Sequence, residues 1–198
     1  TSGSDEPVKL VVDVKKAAVS DDNIDSLGIK ELISEGVTMF PGSPPNRLQN
    51  VRAGMSKFNG VLIKPDQVFS FGEYLGEVGP AQGYAPGLII LGDHEEKAYG
   101  GGLCQVSSTA YRAALLTIFY PQVDMKFKND TGHHILIQTE MIGTTLKFRF
   151  YGTKTKSGNI RGPFFVSGNS NATIPSHTVF YRDVVDLNGK VIKTDTTD

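Results

Sequence analysis

The residues of this chain that could carry covalent chemistry gather in one stretch, Tyr99–Tyr111, which contains the only cysteine, Cys104. Three glycines, Gly100–Gly102, come directly before the cysteine, and a run without glycine or proline, 105–119, follows it. This order predicts a strand, a tight glycine turn and a helix, with Cys104 in the first helical turn. Because a helix start has free N–H groups and a positive dipole end, it can stabilise an anionic sulfur, which suggests a cysteine nucleophile.

Two other interpretations of the same stretch stay open. Free cysteine is often a small buried hydrophobe, and Val106 and Ala110 begin an apolar helix face that would pack whether or not Cys104 reacts. Alternatively, the backbone N–H groups of the turn could hold a carboxylate or phosphate without any chemistry, with Ser107 and Ser108 adding hydroxyl groups. The residues alone do not decide between reaction, packing and binding.

A cysteine nucleophile needs a base, and His133 and His134 are the candidates, although a structural role is the simpler interpretation for a histidine at the start of a strand. Gln105 and the N–H groups of the turn are candidates for holding an oxyanion. No spacing of His, Cys, Asp and Glu is typical of metal ligands, so we predict neither a metal nor another cofactor.

The elements that must position this stretch are predicted to form an α+β fold. Two main helices are expected near 44–58 and 104–118, packed on an antiparallel sheet built largely from 123–151, because the apolar pattern changes from helical to alternating near residue 120. Alternating residues around the turn at 186–189 predict a C-terminal β-hairpin.

Shorter elements complete this prediction. Local propensity favours a strand over Val8–Val14, a short helix over Ile29–Ser34 with Gly36 as its C-cap, and an N-cap at Ser43. Residues 152–172 are rich in Gly, Ser, Asn and Thr, which is typical of a loop.

Composition excludes some classes of function. The net charge is −1, and lysine and arginine are scattered along the chain, so nothing favours nucleic acid or an anionic membrane surface as a partner. No apolar run is long enough to cross a membrane. The 11 phenylalanines and 7 tyrosines supply enough apolar volume for a real core.

Several motifs, in their order along the chain, resemble the VanW family of bacterial envelope proteins. They are NRLQNVR at 46–52, PDQVFSF at 65–71, GY at 83–84, GGGLCQVSSTAY at 100–111 and VDMKFKNDTG at 123–132. The resemblance runs from about Leu27 to Gly152. We therefore expect 1–26 to be a linker or the end of a preceding domain, 27–152 to be a VanW-like domain, and 153–198 to be a loop and C-terminal β-hairpin appendage.

The resemblance implies an extracytoplasmic, cell-envelope protein whose partner is peptidoglycan or a wall peptide, with membrane contact only through an anchor outside this chain. It brings no settled activity. The alternatives are cysteine-dependent amide hydrolysis or transfer on wall peptides, and a non-catalytic peptidoglycan-binding or structural envelope module. The oligomeric state stays open.

The sequence departs from the family between Phe119 and Tyr120. Family members carry there a further stretch with a histidine and then an aspartate, an order of residue types that resembles the NlpC/P60 type of cell-wall cysteine peptidase by analogy only. Here a predicted helix runs into a strand with almost no turn residues. Either this member has lost the segment, or the sequence joins two pieces across it, and we favour the second interpretation. The base for Cys104 would then come from that segment rather than from His133 or His134.

The predicted binding site is a cleft at the start of the Cys104 helix, because aromatic rings beside exposed N–H groups suit a sugar-linked peptide. The residues expected to line or support it are Gly100, Gly101, Gly102, Gln105, Ser107, Ser108, Phe69, Ser70, Phe71, Arg47 and Asn50.

Overall fold

The computed structural model describes residues 24–91, 94–115, 124–166 and 177–197. The helices are α1 (Pro45–Ser56), α2 (Phe71–Leu75) and α3 (Leu103–Leu115), with 3₁₀ turns at Ile24–Leu27 and Pro80–Gln82. The strands are β1 (Glu31–Met39), β2 (Leu62–Ile63), β3 (Val68–Ser70), β4 (Pro86–Leu91), β5 (His94–Tyr99), β6 (Lys126–Lys128), β7 (Ile135–Ile142), β8 (Thr145–Gly152), β9 (Lys156–Val166), β10 (His177–Asp186) and β11 (Val191–Thr197).

The fold is α+β, as predicted, and its main sheet has four antiparallel strands in the order β1-β8-β7-β2. Helix α3 packs on β1 and β8, and α1 packs on β7. Strand β8 shows the alternation that a one-sided sheet requires, since Leu146, Phe148 and Phe150 are fully buried while the residues between them are partly exposed. The two helices therefore cover one face of this sheet.

The core between helices and sheet is built mainly from phenylalanine rings. Phe58 stacks on Phe71 with ring centroids 4.5 Å apart, and Phe69 stacks on Phe127 at the same distance. Phe58 also meets Phe148 of the sheet at 5.7 Å. These offset and tilted contacts are the arrangements that aromatic quadrupoles favour. Because β3 pairs with β6, the short ladder they form delivers two of these rings to the core.

The helix predicted over Ile29–Ser34 is wrong, because residues 31–34 of this segment belong to strand β1. Glu31 pairs with Gly152 and Met39 with Thr145, so the strand is defined by a partner more than 100 residues away. Gly36 is consequently no C-cap. A Cβ there would lie 2.2 Å from the carbonyl oxygen of Thr109, so the glycine allows α3 to approach β1 closely.

The predicted meander over 123–151 is wrong in its first member. Strand β6 pairs with β3 rather than with β7, although β7 and β8 form the expected antiparallel pair. The N-cap prediction also fails, since Pro44 occupies that position and the Ser43 hydroxyl donates to the Phe40 carbonyl at 2.8 Å. The first error concerns a strand partner that local sequence does not specify, and the second is a shift of one residue in the helix start.

The C-terminal hairpin is confirmed and belongs to a three-stranded antiparallel sheet in the order β11-β10-β9. The loop predicted over 152–172 is therefore wrong at Lys156–Val166, which forms β9 by pairing with β10. Cross-strand pairing overrides a composition typical of loops. The strand predicted at Val8–Val14 and the proposed junction at Phe119 and Tyr120 lie outside the described residues.

Candidate functional site

The site is organised by Asn50, a fully buried side chain on α1. Its amide nitrogen donates to the carbonyl oxygens of Ala85 and Gly101, each at 3.0 Å, and its oxygen accepts from the Ala85 N–H at 2.7 Å. A buried amide with its donors and acceptor satisfied fixes the groups around it. Asn50 therefore ties α1 to the loop before β4 and to the glycine turn before α3.

The glycine turn is packed so closely that two of its residues could not carry a side chain. A Cβ at Gly101 would lie 2.5 Å from the Leu88 carbonyl oxygen. Gly102 has φ +113°, and a Cβ there would lie 2.9 Å from Cγ of Arg47. These glycines are thus required by packing against β4 and α1. Their presence alone does not indicate a ligand-binding turn.

Cys104 lies in the first turn of α3, as predicted, and its side chain is exposed. Exposure is inconsistent with the interpretation of Cys104 as a buried hydrophobe. Two helix-start N–H groups are already bonded within the turn, from Leu103 to Gly100 at 3.0 Å and from Gln105 to Gly102 at 2.9 Å. The thiol therefore lies at the protein surface, on a backbone turn that is held by these two hydrogen bonds.

The Oε1 atom of Gln105 accepts a hydrogen bond from Nη2 of Arg47 at 3.2 Å. The same guanidinium donates to Ser43 and lies over the Phe40 ring, 5.8 Å from its centroid. Arg47 is thus a bridge between α1, α3 and the end of β1. The structure gives Gln105 a positioning contact with Arg47.

The two serines of the predicted site differ in exposure. The half-buried Ser107 donates its hydroxyl to the Cys104 carbonyl at 3.2 Å, a bond within the helix. Ser108 is exposed and lies one helical turn after Cys104 on the same side of α3. Of the two, Ser108 is the one positioned to meet a ligand beside the thiol.

The aromatic lining predicted from 69–71 is wrong. Phe69 and Phe71 are 1% and 7% exposed and belong to the core. Ser70, also buried, donates to the Asp124 carboxylate at 2.5 Å, while the Gly72 N–H donates to the same carboxylate at 2.9 Å. Burial alone would raise the pKa of Asp124, but these hydrogen bonds outweigh it and lower the pKa. This triplet therefore anchors the start of α2.

His133 and His134 are not brought to Cys104. They precede β7 at the end of the sheet where Leu136 pairs with Tyr151, and the His134 N–H donates to the Leu27 carbonyl at 3.0 Å. The start of α3 lies at the opposite end, near Phe40. The eight residues of β7 separate these ends by about 25 Å at the usual rise of a strand.

Sequence reasoning missed a pocket of about 350 Å³ between α3 and the C-terminal sheet. Its described lining is Ser108, Tyr111, Arg112, Ile160, Phe180, Tyr181 and Arg182. The spacing of four residues from Cys104 to Ser108 and again to Arg112 was the available signal, since such residues share one side of a helix. The residues of β10 offered no local signal.

The described residues, 24–91, 94–115, 124–166 and 177–197, contain neither a membrane-spanning helix nor a cluster of metal-binding side chains. No helix in these ranges is long and apolar enough to cross a membrane. Within the same ranges, no group of three or more His, Cys, Asp or Glu side chains comes together in a way that could hold a metal ion.

Comparison with known proteins gives a family and two relatives. The family described as VanW like protein matches residues 46–117, which contain α1, the glycine turn and α3. The uncharacterized protein YoaR of Bacillus subtilis strain 168 is 24% identical over 153 residues, or 65% of this chain and 50% of that protein. The vancomycin B-type resistance protein VanW of Enterococcus faecalis V583 is 31% identical over 72 residues, or 36% of this chain and 26% of that protein.

This chain thus spans half or less of the length of these relatives, and no solved structure matched it. The matched residues include Asn50, the glycine turn and Cys104, the parts that the geometry joins into one unit. The family match and the two relatives together show that residues 46–117 form a VanW-like region of this chain.

Proposed function

We propose that this protein is related to the bacterial cell wall and binds a peptidoglycan peptide at the exposed side of α3 that begins with Cys104. Support for the wall comes from a relative that is named for resistance to vancomycin, an antibiotic directed against the cell wall. The proposal includes an extracytoplasmic location, with any membrane anchor outside the described residues. Peptidoglycan is the partner because it is the wall polymer that carries peptides.

One observation carries this proposal. The matched residues 46–117 contain three successive polar contacts from α1, and each is used to hold neighbouring backbone or α3: Asn46 donates to Pro86, Arg47 to Gln105, and Asn50 to Gly101. Such a set of satisfied contacts is typical of a shell that supports a site. What it supports at the surface is Cys104 and the α3 residues that follow it.

Binding is favoured over catalysis by the described contacts. A thiol nucleophile requires a base within hydrogen-bonding reach, and both predicted histidines lie at the other end of the main sheet. Cysteine-dependent hydrolysis or transfer of a wall-peptide amide is the second candidate, and the exposed thiol at a helix start is the observation that favours it.

Sedimentation with purified peptidoglycan tests the binding function. Gly101 is unsuitable for substitution, since any side chain there would collide with β4. Cys104→Trp is suitable because the side chain is exposed, and Lys57→Trp at the exposed end of α1 is the matched control. We expect wild type and Lys57→Trp to sediment with the wall and Cys104→Trp to remain in solution. Equal sedimentation of all three proteins, or of none, would contradict the proposal.

The second candidate is tested with the same material. Wall peptides incubated with the wild type and with Cys104→Ala are compared by mass spectrometry for new amine and carboxylate ends. Binding without cleavage is the result that we expect. Cleavage by the wild type that Cys104→Ala abolishes would replace the binding function with the catalytic one.

A further inference from the structure

The pocket between α3 and the C-terminal sheet combines an apolar body with cationic groups. Tyr111, Ile160, Phe180 and Tyr181 line it with apolar surface, and Arg112 and Arg182 supply the guanidinium groups. A volume of about 350 Å³ lies within the range of small-ligand sites. Apolar walls with a few placed cations suit a ligand that has small apolar groups and a negative charge.

The two arginines are not equivalent. Arg182 is 7% exposed and donates to the Asp195 carboxylate at 2.5 Å, so its charge is already compensated. Arg112 is exposed, and its side chain donates to the Val37 carbonyl at 3.3 Å. Within the described ranges no carboxylate lies within ion-pair distance of Arg112. Arg112 is therefore the group that can pair with an incoming carboxylate.

Position along α3 links this pocket to the thiol. Cys104, Ser108 and Arg112 follow each other at intervals of four residues, which places them along one side of the helix. Eight residues of helix rise by about 12 Å. An extended peptide covers about 3.3–3.6 Å per residue, so this distance corresponds to three or four peptide residues.

We propose that the pocket binds the C-terminal carboxylate of a short peptide at Arg112 and lays the peptide along α3, so that its third or fourth residue from the end lies beside Cys104. Small apolar side chains such as those of alanine would pack on Tyr111 and Phe180. The proposal rests on the proposed function only in taking the bacterial wall as the source of the peptide. It adds the end of the peptide that is recognised, its direction and its length.

A series of reactive peptides tests the geometry. The probes are N-chloroacetyl peptides of one to six alanines, each made with a free C-terminal carboxylate and as the carboxamide. The Cys104 sulfur displaces chloride from the chloroacetyl carbon, so that a C–S bond forms, the C–Cl bond breaks and the thiol proton passes to solvent. Intact-mass spectrometry follows this single modification because the chain has one cysteine.

We expect the free-carboxylate peptides of three or four alanines to modify Cys104 at least about ten-fold faster than their carboxamides. The ratio should fall to near one in Arg112→Leu, recover partly in Arg112→Lys and remain unchanged in Arg52→Leu, an exposed arginine on α1. Ser108→Trp, which fills the pocket from an exposed position, should abolish the preference while thermal unfolding shows a folded protein. Rates in the wild type that do not depend on length or on the carboxylate would overturn the proposal.

The result separates this proposal from the proposed function. A carboxylate- and length-dependent rate without sedimentation on peptidoglycan would support the pocket and contradict the wall as its source. Sedimentation that Cys104→Trp abolishes, together with rates independent of length and carboxylate, would overturn the pocket and leave wall binding in place.

Discussion

Two regions of the molecule are held together by different forces. The VanW-like unit, residues 46–115 with the sheet beneath it, is stabilised by a phenylalanine core and by hydrogen bonds between amide groups, such as those of Asn50. Among the described side chains of the C-terminal sheet, β9–β11, the buried apolar ones are Val179, Val184 and Val185. The sheet is crossed by ion pairs such as Arg161–Asp183 and Arg182–Asp195.

The two regions should therefore differ in how their stability responds to pH and salt. Buried apolar surface and neutral amides do not titrate between about pH 2 and pH 8. Carboxylate–guanidinium pairs are weakened by acid, and exposed pairs are also weakened by salt. The glycine turn that carries Cys104 is held by the neutral amide of Asn50 and should therefore keep its geometry, while the C-terminal wall of the pocket depends on solution conditions. Four substitutions or conditions test this comparison, and they follow in order of expected effect.

The largest effect is expected at the centre of the VanW-like unit. Phe58 is fully buried among Phe69, Phe71 and Phe148, so Phe58→Ala should lower the free energy of unfolding by about 3–5 kcal/mol. Urea denaturation measures the change. Ile192→Ala in the C-terminal sheet is the control, and since that side chain is 56% exposed, a loss of more than about 1 kcal/mol there would contradict the contrast.

The next effect concerns the polar support of the glycine turn. Asn50→Ala leaves the carbonyls of Ala85 and Gly101 without their donor and the Ala85 N–H without its acceptor, which should cost about 3 kcal/mol. Gln49→Ala, which removes an exposed bond to the Gly83 carbonyl, is the matched control and should cost less than about 1 kcal/mol. Equal losses in the two variants would show that burial of the amide is unimportant.

A smaller effect, confined to the C-terminal sheet, is expected from acid. Hydrogen bonds from Arg161 and then from Thr194 lower the pKa of Asp183 from 3.8 to about 2. Because the folded pKa is the lower one, the stabilisation is complete above about pH 4 and is lost as the pH falls toward 2. The protection factors of β10 and β11 amides, corrected for the intrinsic exchange rate at each pH, should fall over this range, and less so in Asp183→Asn.

Amides of α1, which is held by apolar packing and by the neutral side chain of Asn50, supply the internal reference for that experiment. A loss of protection of the same size in α1 would mean that the acid effect belongs to the whole molecule. High salt at neutral pH should act in the same direction as acid, but weakly, because Arg161 is half exposed and such pairs contribute little.

The smallest effect on stability is expected at Cys104. Cys104→Ser should change the free energy of unfolding by less than about 0.5 kcal/mol, because the side chain is exposed. Iodoacetamide should modify Cys104 in the native protein as readily as after denaturation. Protection that only denaturation removes would mean that the thiol is buried, and the binding surface would then lie elsewhere.

Sequence patterns predicted the elements whose partners are nearby or whose apolar period is regular. Helix α1 follows from the spacing of Leu48, Val51 and Met55, and strand β8 from the alternation of Leu146 and Phe148. Strand β1 could not be predicted in this way, because it is defined by its pairing with β8, which lies more than 100 residues away in the sequence. Propensity is a weak guide where a distant strand decides.

The same distinction between local signals and distant partners applies to the candidate site. The order of strand, glycine turn and helix around Cys104 was predictable, because glycines and a helix start are local signals. Which side Phe69 and Phe71 would face was not, since their burial depends on Phe58 and Phe127. The same holds for the pocket, whose second wall comes from β10, some 70 residues after α3.

The contact between Gly36 and α3 also has an evolutionary consequence. No side chain fits between β1 and the Thr109 carbonyl, so a descendant that retains this helix crossing must retain glycine at position 36 whatever its activity becomes. Packing does not restrict the side chain at position 104 in this way, because Cys104 is exposed. Among diverging VanW-like sequences, glycine at 36 would record inheritance of the scaffold, and cysteine at 104 would record selection on the thiol itself.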